Sequence, residues 1–294
     1  MKRPIVFIHS FNHSYLPLSL WQARKSNPEA EIFLIGDGWN AHFDFLVEHV
    51  NASDYRKSAD AFALHFKNFS TNPSDFERIC IERWFILEEF MRERGFESCL
   101  YLDSDILQFG DVETDASRFA AYGMTVAGIS GHSNFISNRK DLQDFCQFIL
   151  EAYTCPGAHQ KLEQQYIEFR KTHPAGGISD MTFFTGFREK FPDRILDIGI
   201  PGGGIAYDIA MSYIEFCRNE NGIKKVNRTP DGRLMIFQRG EGEVELRSLH
   251  FQGDSKRFMK AHLFGTPVSL ELIYRLNQVY LFIQKVLRKL FFRK

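Results

Sequence analysis

The chain has 294 residues, of which 44% are hydrophobic and 15% aromatic, and a formal net charge of -1. This length and hydrophobic fraction allow one large core, and the near-zero charge argues against nucleic acid as a partner. The five cysteines form no Cys-x-x-Cys pair, so we expect reduced thiols in a cytoplasmic protein. The sequence shows no signal peptide and no apolar run long enough to span a membrane.

Apolar runs and segments with helical periodicity alternate from the first residues onward. The predicted strands are residues 4–9, 31–37, 99–102, 125–129, 135–137, 194–198 and 244–251. The predicted helices are residues 19–25, 74–94, 141–153, 176–190 and 270–294. This alternation predicts an α/β fold with a mostly parallel sheet flanked by helices. We expect one domain, residues 1–268, followed by a helical tail, residues 269–294.

The longest predicted helix has a charged residue on its apolar stripe. Ser74 and Glu77 have the spacing of a capping box and predict its start, and Gly95 predicts its end. Arg83 lies on the apolar stripe, so it needs a partner, which is either a structural salt bridge or a functional group. The other stripe residues, which we expect to be buried, are Phe76, Ile79, Cys80, Trp84, Leu87 and Phe90.

Two aspartates follow the apolar run Cys99 to Leu102. In an extended chain, Asp103 and Asp105 would lie on one face and Ser104 on the other. Two carboxylates so placed repel each other unless a cation lies between them, and Mg2+ and Mn2+ prefer such oxygen ligands. Ligands of open parallel sheets bind beyond the carboxyl ends of the strands. The pattern therefore favours a metal–diphosphate site, although Asp-x-Asp also caps strands into turns.

A second motif follows about 145 residues later, at the end of the predicted strand 244–251. His250 can complete a metal site that two carboxylates begin, and Lys256 can place a positive charge near a phosphate. Gly253 allows a close backbone approach. Taken alone, both residues have simpler alternative roles. His250 would be an interior histidine and Lys256 a solvated surface lysine.

Together the two motifs resemble those of the family 8 glycosyltransferases, which are glycogenin-like and lipopolysaccharide galactosyltransferase-like and have the GT-A fold. The family patterns are Leu-Asp-x-Asp and His-Phe-x-Gly-x-x-Lys. The matching residues here are Leu102, Asp103, Asp105, His250, Phe251, Gly253 and Lys256. The chain departs from the family between residues 130 and 205. There the family's Asn-Ser-Gly segment is replaced by Ser133-Asn134-Phe135, without the glycine, and Asp180 lacks the usual Gln after it.

The resemblance implies a retaining, metal-dependent transfer of a hexose from a nucleotide-sugar, UDP-linked, to a glycan or lipid-linked acceptor. It implies Mn2+ or Mg2+ held by Asp103, Asp105 and His250. The implied donor-binding residues are His9 and Asn12 in the loop after the first strand, together with Asp37, Asp103, Gly253 and Lys256. The candidates beside the sugar or acceptor are Asp180, Arg83 and Asn134. Asp37 and Asp180 have simpler alternative roles as a turn cap and a helix cap.

Other functions remain open at this point. A haloacid-dehalogenase-type phosphatase also places Asp-x-Asp after a strand, but Leu107 stands where its pattern has Thr or Val. A sugar nucleotidyltransferase expects a glycine-rich loop with a lysine near the first strand, and residues 7–15 contain neither. A non-catalytic nucleotide-sugar-binding protein would keep the donor site without the catalytic candidates.

The C-terminal segment is basic and apolar. From Leu272 to Lys294 there are six basic residues and no acidic residue. The apolar stripe is Ile283, Val286, Leu287 and Leu290, with Tyr280, Phe282, Phe291 and Phe292 around it. Such a helix suits the anionic inner face of a membrane, where a lipid-linked acceptor would be met. The alternative is a helix that packs on the protein's own core.

Overall fold

The computed structural model of the protein describes residues 2–263 and 268–291, without the side chains of residues 287–291. The predicted tail residues Phe292, Arg293 and Lys294 lie outside the described residues, as do the side chains of the apolar and basic residues at 287–291. Among the helices of the described part, none is long and apolar enough to cross a membrane.

Strands and helices alternate as the sequence predicted, and the α/β class is confirmed. The α-helices of the described residues are α1 (Leu16–Ser26), α2 (Lys57–Ala63), α3 (Ser74–Arg94), α4 (Val112–Phe119), α5 (Arg139–Thr154), α6 (Ala158–Arg170), α7 (Asp180–Lys190) and α8 (Val268–Phe291). The strands are β1 (Ile5–Ile8), β2 (Ile32–Gly36), β3 (Glu48–Asn51), β4 (Cys99–Leu102), β5 (Ile106–Gln108), β6 (Met124–Val126), β7 (Ser133–Ile136), β8 (Ile195–Asp197), β9 (Ile205–Ala206), β10 (Asn219–Glu220), β11 (Ile223–Lys224), β12 (Asn227–Arg228), β13 (Leu234–Gln238), β14 (Gly242–Leu246) and β15 (Ser248–His250).

The chain forms two compact units, and the first consists of residues 1–50, 102–112 and 199–294. In this unit β1 pairs in parallel with β2, which is followed in the sheet by β3. Both β1 and β2 are almost entirely buried, which explains why their sequences are apolar without alternation. Further sheets of the unit join β12, β13, β14 and β9, and pair β15 with β5.

The core of the first unit includes residues from both of its later segments. Leu107 of β5, Leu249 of β15 and Leu270 of α8 belong to one buried cluster with Met259. The predicted tail segment therefore contributes to this core through Leu270. The predicted division at residue 268 stays a prediction.

The second unit consists of residues 51–101 and 113–198. Its strands β4 and β7 are neighbours in a sheet, and β6 pairs in parallel with β8. Helix α3 packs against α2 and α5. The aromatic core centres on Trp84, whose ring lies edge-on to Phe184 with centroids 4.9 Å apart. A Cβ added to Gly131 would come within 2.6 Å of both rings, so only glycine fits there.

Helix α3 differs from its prediction in its first turns. No side-chain hydrogen bond caps it at Pro73, so the predicted capping box is wrong. Glu77 is buried instead, and its Oε1 accepts hydrogen bonds from Ser70 Oγ at 2.8 Å and Asn72 Nδ2 at 2.7 Å. Because the face of Glu77 is turned inward, Phe76 and Ile79 are 55% and 37% exposed, contrary to the prediction that they are buried.

The predicted strand 244–251 is two strands. Residue 247 separates β14 from β15, and each pairs with a different partner. Strand β15 turns to β5, the short strand that follows the two aspartates. This break brings the two sequence motifs into one hydrogen-bonded pair of strands.

Candidate functional site

The two motifs meet in the first unit. His250 pairs with Ile106 in the antiparallel β15–β5 ladder, and Phe251 N–H donates to the Asp105 carbonyl at 3.0 Å. Asp103 begins a tight turn that the Ile106 N–H to Asp103 carbonyl bond closes at 3.1 Å. The extended conformation predicted for residues 103–105 is therefore wrong, because the chain turns there to enter β5.

The Asp105 carboxylate lies between two cationic or metal-binding side chains. Its Oδ2 is 2.7 Å from Lys256 Nζ, and its Oδ1 is 3.6 Å from His250 Nε2. Asp105 and His250 are largely shielded from solvent, whereas the Lys256 side chain is 30% exposed. A charge pair in such surroundings is screened less than one in open water. Lys256 is therefore an ion-pair partner of the site and not a solvated surface lysine.

The His250 ring has a defined orientation. Its Nδ1 is 2.7 Å from the Ile209 carbonyl oxygen, which can only accept, so Nδ1 bears the proton. In the neutral ring Nε2 then has the lone pair, and this is the atom nearest Asp105. Metal-bound histidines commonly donate their second ring N–H to a backbone carbonyl in this way.

These residues fit a hard divalent ion in donor chemistry. Adjacent ligands of an octahedral Mg2+ or Mn2+ ion are about 3 Å apart, close to the spacing between Asp105 and His250. The Lys256 ammonium now neutralises the carboxylate that such an ion would bind. No three His, Cys, Asp or Glu residues among those described are grouped as a metal would hold them. The three-residue site with Asp103 stays a prediction.

A chain of hydrogen bonds runs from the turn to the loop after β1. Ser104 Oγ is 2.8 Å from His9 Nδ1, and His9 Nε2 is 2.8 Å from His13 Nδ1. Desolvation and, next, the nearby His13 lower the pKa of His9 to about 3, against the opposing charge of Asp103. His9 is therefore neutral at pH 7 and can donate or accept a hydrogen bond without bringing positive charge.

Tyr15 lies at the end of the same loop. Its ring stacks on His13 with centroids 5.4 Å apart, and Lys256 Nζ lies 5.4 Å from its centroid. Burial and, next, the Asp105 carboxylate raise the pKa of Tyr15 above its usual range. The hydroxyl therefore keeps its proton beside the acidic turn.

The loop after β1 is held in a strained conformation. Phe11 has φ +65°, an unfavourable region for a side chain of this size, and its ring is 48% exposed. Its N–H donates to Asp37 Oδ2 at 2.7 Å, and its carbonyl accepts from Asn40 Nδ2 at 2.8 Å. Asp37 Oδ1 accepts from Trp39 N–H at 2.8 Å. Asp37 thus holds the loop, and its donor-binding role stays a prediction.

Asn12 is bound to the C-terminal helix. Its Nδ2 donates to Asn277 Oδ1 at 2.7 Å, and Asn277 Nδ2 donates to the His13 carbonyl at 3.1 Å. Both asparagines are buried. Asn277 and Phe11 were not among the sequence candidates, and only the aromatic character of Phe11 in a predicted binding loop offered a signal.

Gly253 begins a 3-10 helix, Gly253–His262, on which Lys256 lies. Its φ is +59°, and an added Cβ would meet no atom within 4 Å. The left-handed conformation, not crowding, explains the glycine in the second motif.

Two other candidates pair in the second unit. Asp180 Oδ2 accepts from Arg83 at 2.6 Å and from Trp84 Nε1 at 3.2 Å. Arg83 also donates to the Tyr101 hydroxyl at 3.2 Å. The partner that Arg83 was predicted to need is therefore Asp180. The N-cap of α7 is Ser179, in a capping box with Thr182, so Asp180 is not itself the cap.

Asn134 occupies a different environment. It lies in β7, fully buried, and its Oδ1 accepts from Thr125 N–H of β6 at 3.1 Å. Its Nδ2 has no hydrogen-bond partner among the described residues. This bond joins two strands, and a catalytic role for Asn134 stays a prediction.

No protein-family model matches the chain, and no curated protein sequence matches it. Among solved structures, the chain is similar to the galactosyltransferase LgtC in complex with donor and acceptor sugar analogs, at 13% identity and TM-score 0.45. That match covers 90% of this chain and 97% of LgtC. The chain is also similar to the PaToxG glycosyltransferase at 12% identity and TM-score 0.41, over 65% of this chain and 70% of that one. The glycosyltransferase GlyE of Streptococcus pneumoniae TIGR4 is similar at 16% identity and TM-score 0.34, over 67% of this chain and 45% of GlyE.

Proposed function

We propose that the protein is a metal-dependent glycosyltransferase that moves a hexose from a UDP-linked donor to a glycan or lipid-linked acceptor. The main support is one observation, the Asp105 carboxylate held between Lys256 and His250 beside the turn that contains Asp103. This cluster places the Lys256 ammonium, which can bind an anion, beside the Asp105 carboxylate and the His250 ring, which can bind a metal ion. Transfer of a sugar from a nucleoside diphosphate leaves negative charge on the departing diphosphate, and a bound metal ion together with an ammonium group can neutralise that charge.

In the proposed reaction the bond from the sugar C1 to the diphosphate oxygen breaks, and UDP leaves with the bonding electrons. C1 then bonds to the oxygen of an acceptor hydroxyl, whose proton is released. Bound Mn2+ or Mg2+, held by Asp103, Asp105 and His250, would neutralise the charge that grows on the diphosphate. Because the metal ion would balance the charge of the Asp105 carboxylate, the Lys256 ammonium would break its ion pair with Asp105 and bind the phosphate oxygens. The Gly253 backbone would lie against the same diphosphate.

The loop after β1 is proposed to bind the nucleoside. Phe11 presents an exposed ring on a backbone that Asp37 and Asn40 hold in place. A base can stack on such a ring, which is worth about 1–3 kcal/mol. His9, neutral at pH 7, would hydrogen-bond to the base or ribose. Retention of configuration is part of the proposal, and no nucleophile is assigned.

The proposal is tested by thermal shift with a panel of nucleotide-sugars, with and without Mn2+. We expect UDP-sugars to raise Tm, and more with Mn2+, because ligands that bind only the folded state stabilise it by mass action. Release of UDP in the presence of an acceptor then separates an enzyme from a non-catalytic binder. If no nucleotide-sugar changes Tm with or without the ion, the proposal is wrong.

Lys256→Ala is expected to weaken UDP-sugar binding and lower turnover. Loss of a charged hydrogen bond costs about 1.5–3 kcal/mol, equivalent to roughly 10-fold to 150-fold in affinity. Titration calorimetry with UDP measures this loss. Arg257→Ala, which removes an exposed neighbouring cation, is the control and should bind like the parent. Equal affinity of the two variants would remove Lys256 from the diphosphate site.

We also propose that α8 binds the anionic inner face of a membrane, which would make the protein peripheral and cytoplasmic. Through Leu270, Asn277 and Gln284, which are spaced seven residues apart, α8 packs against the rest of the first unit. The same helix has a second, exposed apolar face. This face consists of Leu272, Leu276, Val279, Phe282, Ile283 and Val286.

The exposed face continues into an apolar groove of about 340 Å³ beside Phe45. Arg275 and Lys285 are exposed on the same helix, and no acidic residue follows Leu272. Basic residues beside an exposed apolar face suit anionic lipid, at about 1 kcal/mol for each basic residue near the surface.

Leu276→Ser/Ile283→Ser is expected to lose flotation with anionic vesicles while keeping UDP binding. Both side chains are exposed, so the double substitution removes apolar surface without opening a core. Gln278→Ser, at another exposed position of α8, is the matched control and should float like the parent. Full-length protein that never floats at low salt would show that α8 only docks on the protein.

A further inference from the structure

A buried ion pair lies directly behind His250. Asp208 and Lys224 are 1% and 6% exposed, and the Lys224 ammonium contacts Asp208 Oδ1. The other carboxylate oxygen, Oδ2, accepts the backbone N–H of His250 at 2.9 Å. Neither Asp208 nor Lys224 belongs to the two motifs.

The segment 208–211 holds His250 at three atoms. Besides the Asp208 bond to its N–H, its ring Nδ1 donates to the Ile209 carbonyl at 2.7 Å. Its carbonyl accepts from Met211 N–H at 2.7 Å. Lys224 N–H in turn donates to the Met211 carbonyl at 2.9 Å, so Lys224 is tied to this segment by its backbone as well.

Burying the Asp208–Lys224 ion pair at this position costs free energy. Two buried charges lose much of their hydration, and apolar residues of similar volume are often as stable or more stable in their place. An apolar pair would, however, offer no acceptor for the His250 N–H. The carboxylate fixes the backbone of His250, and the Lys224 ammonium balances the charge of that carboxylate within the core.

We propose that Asp208 and Lys224 are positioning residues for the metal site. They hold segment 208–211 against His250, so that Ile209 selects the Nδ1–H tautomer and the Nε2 lone pair is directed to Asp105. They thereby set the affinity of the Asp105–His250 pair for a divalent cation. This inference rests on the proposed metal-dependent function.

The test compares two double variants of the full chain. Asp208→Leu/Lys224→Met removes the acceptor without leaving a buried charge, whereas Asp208→Asn/Lys224→Gln keeps an amide acceptor. We expect the first to bind Mn2+ about 10–100-fold more weakly, as for loss of groups that orient a metal ligand. The second should stay close to the parent. Electron paramagnetic resonance of free Mn2+ measures the affinity.

A control and a second readout separate positioning from general damage. Glu245→Leu/Arg247→Met removes another partly buried ion pair of the first unit and should not change Mn2+ affinity. Nitrogen NMR of the His250 ring in metal-free protein should show the Nδ1–H tautomer in the parent and a mixture in Asp208→Leu/Lys224→Met. The spectrum of the parent tests the predicted Nδ1–H tautomer even if that variant fails to fold.

Each outcome bears on one idea. An Nε2–H tautomer in the parent overturns the positioning role, as do equal Mn2+ affinity and an unchanged ring tautomer in the apolar variant. A parent that binds no Mn2+ while its ring shows the Nδ1–H tautomer overturns the proposed metal dependence. In that case a tautomer change in the apolar variant supports the positioning of His250 itself.

Discussion

Asp105→Asn is expected to reduce Mn2+-dependent UDP affinity about 100-fold, since one charged contact to a ligand is worth up to about 3 kcal/mol. The substitution removes the carboxylate that lies between His250 and Lys256 but keeps its shape. Calorimetric titration of UDP with and without Mn2+ measures the effect. The difference between the two conditions should nearly disappear in the variant.

The same variant should remain folded. The lost ion pair joins Asp105 to a partly exposed lysine, so its contribution to the free energy of unfolding is about 1 kcal/mol or less. Asp254→Asn is the matched control, because Asp254 is an exposed acid on the same 3-10 helix as Lys256. Mn2+-dependent UDP affinity that is equal in Asp105→Asn and the parent would contradict the metal assignment.

The parts of the site that could be predicted are those that short sequence patterns determine. A buried parallel strand is apolar throughout, so β1, β2 and β4 could be located from composition alone. Two carboxylates after such a strand indicated a cation site, which stays a prediction. The resemblance implied that His250 and Lys256 belong to the same site as the aspartates, but the ion pair between Asp105 and Lys256 was not predicted.

The parts that could not be predicted depend on contacts between distant segments. Asn277 meets Asn12 across 265 residues, and nothing in the sequence around either asparagine indicates this contact. Asp208 and Lys224 lie among two-residue strands whose sequence has no clear period. The conformation of Phe11 depends on acceptors and donors that residues 37 and 40 supply.

In helix α3 periodicity assigned burial correctly at Trp84, Leu87 and Phe90 but wrongly at Phe76 and Ile79. Glutamates 77, 82, 88 and 89 of this helix are all buried, although charged residues in a helix normally indicate a face exposed to solvent. Each buried carboxylate has a donor, such as Arg56 for Glu82 at 2.8 Å and Arg139 for Glu88 at 3.0 Å. Because these donors come from elsewhere in the second unit, the helix sequence alone could not show that its first turns bury Glu77 while Phe76 and Ile79 are exposed.

Asp180→Ala is expected to destabilise the protein by about 3–5 kcal/mol, because it leaves the largely buried Arg83 guanidinium without its carboxylate. Urea denaturation measures the free energy of unfolding. Arg83→Leu/Asp180→Leu should recover much of this loss, since no charge is then left unpaired. Asp193→Ala, which removes an exposed acid of the same unit, is the control and should change stability little.

Asp180→Asn separates the structural role of this carboxylate from the role beside the sugar or acceptor that the sequence predicted. The amide keeps the size of the side chain and one acceptor for Trp84 Nε1, which now donates to Asp180 at 3.2 Å. We expect a smaller loss of stability than in Asp180→Ala, together with strongly reduced turnover and nearly unchanged UDP affinity. Turnover equal to that of the parent would leave Asp180 with the structural role alone, as the partner of Arg83 and Trp84.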